Sequence, residues 1–146
     1  MKNEMDVEFS SVSENESFAR VVIGSFVSQL DPTMDELTEI KTVVSEAVTN
    51  AIIHGYNNEP NHYIKMICVL FDDEMTLTIK DNGIGMDNIE EKRQPLYTSK
   101  PELERSGMGF TIIENFMDKL EITSHPNDGT SVYMEKQLIT TRTVSK

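Results

Sequence analysis

Cysteine, basic residues and long apolar runs are all scarce in this chain, and each scarcity narrows what it can be. The single Cys68 leaves no partner for an internal disulfide, which points to a reducing, cytoplasmic setting. Thirteen Lys and Arg against 25 Asp and Glu give a net charge of −12. No basic stripe is available to meet a phosphate backbone, so nucleic acid is not an expected partner. The acidic field would instead steer in a basic protein. No apolar run approaches the roughly 18 residues that a membrane span needs, and the N-terminus lacks a signal-peptide core. Repeats, low-complexity tracts and linkers are missing too. The 146 residues, 38% of them hydrophobic, therefore read as one domain, 1–146, with enough apolar surface to bury a core.

What is present alternates between strand and helix patterns. Met5 to Val12 predicts a strand, because Met5, Val7 and Phe9 alternate with Asp6, Glu8 and Ser10. Ser13-Glu-Asn-Glu16 has the form of a capping box and opens a helix reaching about Leu30. Its buried side is expected to be Phe18, Val22 and Phe26, with Ala19, Ile23 and Leu30. Asp31-Pro32 ends that helix, since the residue before proline avoids helical geometry. Thr33-Met-Asp-Glu36 is a second capping box, and the helix it opens closes near Gly55, read as a left-handed C-terminal residue. On this second helix Leu37, Ile40, Val44, Ala47, Val48 and Ala51 form a core stripe. Glu39, Thr42, Glu46, Asn50 and Ile53 lie opposite, with Glu46 and Asn50 one turn apart and pointing the same way.

After a loop at 57–61, His62 to Phe71 is apolar on both faces and predicts a central, covered strand. Asp72-Asp73 turns the chain, and Met75, Leu77 and Ile79 mark a strand with one wetter face. From Asp87 to Glu104 the chain is polar for 18 residues with two prolines, a length that reads as a lid over about 87–106. Gly109 to Asp118 predicts a helix with Ile112, Ile113, Phe116 and Met117 on its apolar side. Leu120 to Ser124 and Thr130 to Leu138 pair across Asn127-Asp-Gly129, and 140–146 reads as a frayed tail.

Two gaps between these elements carry chemistry. Asp81-Asn-Gly-Ile-Gly-Met86 follows a strand directly. A plain Asn-Gly hairpin is one reading, but the residues after it do not alternate and a second glycine has no use there. An EF-hand loop fails because Gly83 and Gly85 stand where ligands are needed. The other reading is a backbone that turns sharply against a flat ligand, with Asp81 placed to accept from an exocyclic amine. Ser106-Gly-Met-Gly109 precedes a helix, where free N–H groups and the helix dipole favour a phosphate. It is neither a Walker loop nor a dinucleotide fingerprint. Taken alone it could equally be a glycine-rich corner.

In this order, Glu46-x-x-x-Asn50, Asp81-x-Gly83-x-Gly85, a lid, Gly107-x-Gly109 and Gly129-Thr130 resemble the ATP-binding fold of the GHKL superfamily. Gyrase, a heat-shock chaperone, histidine kinases and a mismatch-repair ATPase share that fold, also called the Bergerat fold. Without an upstream dimerisation helix carrying a phosphorylatable His, a sensor histidine kinase is not expected. Val44-Ser-Glu-Ala-Val-Thr-Asn-Ala51 and the short, bare domain are similar to bacterial anti-sigma factors that are also serine-protein kinases, the sporulation branch more than the stress-response branch.

The resemblance implies an α/β (α+β) two-layer sandwich, a mixed, mostly antiparallel sheet covered on one face by three main helices. It makes Asn50 the Mg²⁺ ligand, Glu46 the general base, and Asp81, helped by Thr130, the adenine reader. Gly83, Gly85, Gly107 and Gly109 would hug the nucleotide, with Met86, Ser106, Met108 and Phe110 beside them. Arg105 is assigned to the γ-phosphate on charge and position, ahead of Lys100 and Arg93, while His54 reads as finishing its helix. ATP and Mg²⁺ are the implied cofactors; a sigma factor and an anti-anti-sigma protein, phosphorylated on serine, are the implied partners. With one sheet face bare and the first strand at an edge, a homodimer is expected. Arg20, the sole basic residue between Lys2 and Lys41, is expected to contact a partner. A nucleotide-gated binder or a water-using ATPase of the same fold is the alternative.

Overall fold

The computed structural model describes residues 2–57, 59–83, 109–124 and 128–139, so the expected lid and tail lie outside the described residues. Strand β1 is Lys2–Ser10, helix α1 Glu14–Val27 and helix α2 Met34–Asn50; β2 is Tyr63–Phe71 and β3 Glu74–Asp81. Helix α3 is Gly109–Phe116, β4 is Lys119–Ser124 and β5 is Thr130–Gln137. All four strand pairings are antiparallel, in the order β1-β2-β3-β5-β4, with β1 at an edge. Among the described residues no helix is long and apolar enough to cross a membrane.

Strand periodicity decides which face meets the helices. Ile64, Met66, Cys68 and Leu70 on β2 and Met75, Leu77 and Ile79 on β3 are buried, and they share one core with Ala19, Ile23 and Val27 of α1 and Val43, Val44, Ala47 and Val48 of α2. Each such fully buried aliphatic side chain stabilises the fold by roughly 2 kcal/mol. Burial pushes the Cys68 thiol up to about 12, which leaves it an inert hydrophobe. The other face of β2, with Ile67 and Val69, is only half-buried, and Phe71 is exposed. The expectation of a strand covered on both faces is therefore corrected: apolar residues on two faces of a strand do not by themselves supply a second layer.

Of the expected helix features, one holds and others change. The Thr33–Glu36 capping box forms on both sides, with Glu36 N–H donating to Thr33 Oγ1 at 3.1 Å and Thr33 N–H to Glu36 Oε1 at 2.9 Å. The Ser13–Glu16 box does not: Ser13 is helical in backbone and donates to Glu14, while Glu16 accepts from Thr49 Oγ1 on α2 at 3.1 Å. The buried side of α1 is Ala19, Ile23, Gly24 and Val27, whereas Phe18 is 46% exposed and rests edge-on against Phe9. That face packs on α2, with the flexible Lys41 side chain lying across Gly24, where a Cβ would fall 2.6 Å from Lys41 Cε. Finally, α2 runs into a π-helical turn, Ala51–Gly55. The wider turn rotates Ile53 into the interior at 8% exposure, and the left-handed residue beyond it is Asn57, not Gly55.

Candidate functional site

Helix α2 delivers three things at once. Glu46 and Asn50 sit half-buried one turn apart near its C-terminal end, and the π-turn then brings Gly55 onto the turn after β3. A Cβ on Gly83 would fall 1.9 Å from the Gly55 carbonyl oxygen, and one on Gly55 would meet the Asp81 carboxylate at 2.8 Å. Gly83 has no room for a side chain because it lies against the Gly55 backbone, and Gly55 has none because it lies against the Asp81 carboxylate. At about 1.5 Å per residue, Glu46 and Gly55 are roughly 13 Å apart along the axis. One helix thus spans from a potential base to a buried carboxylate.

Asp81 is 7% exposed, and among the described residues no cation pairs with it. Its Oδ1 accepts the Gly83 N–H at 2.9 Å. Burial raises its pKa from 3.8 to about 6, opposed by the backbone N–H groups of Gly83 and Thr130. Asp81 and Thr130 are register partners across β3 and β5. Gly129, at φ 81, allows that approach, since a Cβ there would lie 2.2 Å from the Asp81 carbonyl oxygen. The Thr130 hydroxyl is 2.8 Å from Ser124 Oγ. A carboxylate has about four acceptor positions. Two backbone donors leave room for an outside amine, so the donor set fits a purine such as adenine.

The fold therefore brings together Asp81, Gly83 and Thr130, places Glu46 and Asn50 on the helix that abuts them, and puts Gly109 and Phe110 at the start of α3. Gly85, Met86, Arg105, Ser106, Gly107 and Met108 lie outside the described residues. Among the described residues no group of three His, Cys, Asp or Glu side chains could hold a metal. The single neutral oxygen of Asn50 suits a hard cation that arrives already ligated by phosphate oxygens and water.

Glu46 also lines a groove of about 590 Å³ between α1 and α2, with Glu16, Arg20, Lys41, Thr42 and Ser45. Arg20 is exposed there; it donates to Ser17 Oγ at 3.1 Å and lies 3.9 Å from Glu16. Gly24 and Val27, further along α1, are buried, and the exposed apolar groups nearby are Phe18 and Val21. Two residues escaped the sequence reading altogether. Tyr56 acts through a contact with distant chain and Ser124 through its cross-strand partner Thr130, and no local pattern marks either.

A model of the histidine kinase-like ATPase domain matches residues 9–136. The anti-sigma F factor of Oceanobacillus iheyensis is 70% identical over 144 residues, 99% of each chain. That of Shouchella clausii is 60% identical over 146 residues, the whole of both. Among solved structures, the RsbU and RsbW domains of a Mycobacterium tuberculosis protein superpose with a TM-score of 0.67 at 16% identity, over 93% of this chain and 32% of that one. The catalytic domain of the histidine kinase ThkA does so at 0.55 and 18%, over 92% and 97%. These two carry the fold alone. The full-length identities and the family model agree, and the chain belongs to the histidine kinase-like ATPase family and, within it, to the anti-sigma F factors.

Proposed function

We propose that the chain is an ATP-dependent serine kinase that phosphorylates an anti-anti-sigma protein and also binds and sequesters a sigma factor. The observation that carries this reading is the reach of α2, which holds Glu46 and Asn50 and ends in backbone contact with the Asp81–Gly83 turn. Asp81 and Thr130 hold the adenine end. Asn50 would hold Mg²⁺, which neutralises charge on the phosphates when bound. Glu46, facing the α1–α2 groove, takes the proton of the incoming serine hydroxyl, so the acceptor reaches it from a separate protein. Arg105 is assigned to the γ-phosphate on sequence grounds. A homodimer through β1 or the half-covered sheet face completes the proposal.

Incubation with γ-labelled ATP and a candidate acceptor tests the reaction. Label on the acceptor serine is expected; free phosphate alone would make the chain an ATPase, and no turnover a nucleotide-gated binder.

Arg20 supplies the partner-contact prediction. It stands exposed beside Phe18 and Val21, a planar cation next to apolar surface, which is the make-up of a binding hot spot. Arg20→Glu should weaken binding of the sigma factor or its antagonist by about tenfold or more, through repulsion as well as lost contact. ATP affinity should stay within about twofold. Titrations of both partners and of ATP on the same folded variant decide it, and unchanged partner affinity returns Arg20 to plain surface.

A further inference from the structure

Tyr56 ties three separate segments together at the edge of the Asp81 turn. It follows the π-turn at the end of α2, and the residue is 5% exposed. Its hydroxyl accepts the Asn82 N–H at 2.6 Å and donates to the Tyr63 carbonyl oxygen at 2.7 Å. The ring stacks on His62, centroids 4.5 Å apart and planes within 5°. The chain before His62 is itself anchored, because Ser11 donates through its N–H to the His62 carbonyl and through its hydroxyl to that of Glu59. Asn82 is the residue between Asp81 and Gly83, so the phenol grips the middle of the turn whose Gly83 N–H holds the Asp81 carboxylate.

The hydroxyl must remain protonated to donate to Tyr63, and burial raises its pKa above 10.0. A neutral phenol serves both bonds at any physiological pH. Phenylalanine would fill the same space and keep the stack, but would leave the Asn82 N–H and the Tyr63 carbonyl without this partner. The turn carrying Asp81 would then keep its packing on Gly55 and its pairing with Thr130 but lose the grip on Asn82.

We infer that Tyr56 is a positioning residue for purine recognition: its hydroxyl, braced by the His62 stack, sets the Asp81 carboxylate for the 6-amino group of adenine. This rests on the proposed role of Asp81 and goes beyond it by naming what enforces base selectivity. Tyr56 touches no reacting atom, so its loss should change which base is preferred and not the binding of the triphosphate.

The test compares binding of ATP and of purine riboside 5′-triphosphate, which lacks the 6-amino group, to the wild-type chain and to Tyr56→Phe. The wild type should favour ATP, and Tyr56→Phe should lower that preference about five- to tenfold, the range expected of one lost hydrogen bond. Affinity for the deaminated analogue should stay within about twofold. A Tyr56→Phe chain that keeps the full preference, or weakens both ligands equally, overturns the assignment and leaves Asp81 in place. A wild type with no preference overturns the Asp81 role together with it. Should Tyr56→Phe fail to fold by circular dichroism, His62→Ala carries the test, since it removes the half-exposed stacking plate, together with its 3.8 Å contact to Glu59, and leaves the Tyr56 hydroxyl in place. A loss of preference of about two- to threefold is then expected, and none would overturn the inference. Because only binding is read, the outcome does not depend on kinase activity.

Discussion

Glu46→Ala should lower phosphoryl transfer to a protein acceptor about a thousandfold and leave ATP affinity within about twofold. A general base acts on the attacking hydroxyl and contributes only as that proton leaves, so its removal is felt in the transition state and not in the ground-state complex. The structure makes the variant readable. Glu46 is half-buried at the groove, while its neighbours Val43, Val44, Ala47 and Val48 hold α2 in the core without it. Alanine also has a higher helix propensity than glutamate, so the substitution does not weaken the helix through its backbone preference. Labelled-phosphate transfer and calorimetric ATP titration on one preparation provide the measurement. Loss of ATP binding together with transfer would make Glu46 a structural residue, and retention of transfer would move the base elsewhere.

Asp81→Asn should reduce ATP affinity about a hundredfold and, in the same protein, raise the stability of the nucleotide-free fold. The first effect follows because an amide presents hydrogens where the adenine amine needs an acceptor. The second follows from the sign of the pKa change. The folded chain holds Asp81 near 6 and the unfolded chain near 3.8, so the folded state takes up the proton more readily. This group therefore favours folding below about pH 4, loses that advantage as pH rises from about 4 to 6, and imposes its full cost above 6. The difference corresponds to about 3 kcal/mol at neutral pH. Asparagine avoids that cost but must find acceptors for its own hydrogens, so a gain of about 1–2 kcal/mol and a Tm higher by several degrees are expected. Melts of both chains at pH 7.5 and pH 5, without ligand, should show the gain shrinking at the lower pH. A variant that is less stable at pH 7.5, or that binds ATP as the wild type does, would sink the account.

Together the two predictions separate the ends of one helix. In the proposed reading Glu46→Ala costs chemistry and spares ATP binding, whereas Asp81 is a buried charge whose cost to stability is offset when a ligand uses it. Marginal stability makes the second kind of residue costly to retain, and such groups gather at binding sites.

Much of the fold is legible along the chain because its signals are local. Alternation in Met75-Leu77-Ile79, the Thr33–Glu36 capping box and the turn at Asp72-Asp73 all reappear as β3, the start of α2 and the β2–β3 hairpin. These depend on neighbours within a few residues, and the periods of 2.0 and 3.6 encode them directly. The Ser13–Glu16 box looked identical to the Thr33–Glu36 one and failed, because Glu16 found Thr49 on another helix. The buried face of α1 was legible in part: Ala19, Ile23 and Leu30 are buried as expected and Val22 and Phe26 pack partly buried on the core, but Phe18 is exposed while Gly24 and Val27 are buried. Residue order alone thus determined the element sequence, the burial of one face of β3 and the four boxes of the ATP-binding family. Only tertiary structure decided that Gly83 is packed on the Gly55 backbone, that Gly55 is packed on the Asp81 carboxylate, and that Tyr56 grips the turn of Asp81. Those contacts join residues 26 or more positions apart, and no periodicity reaches that far.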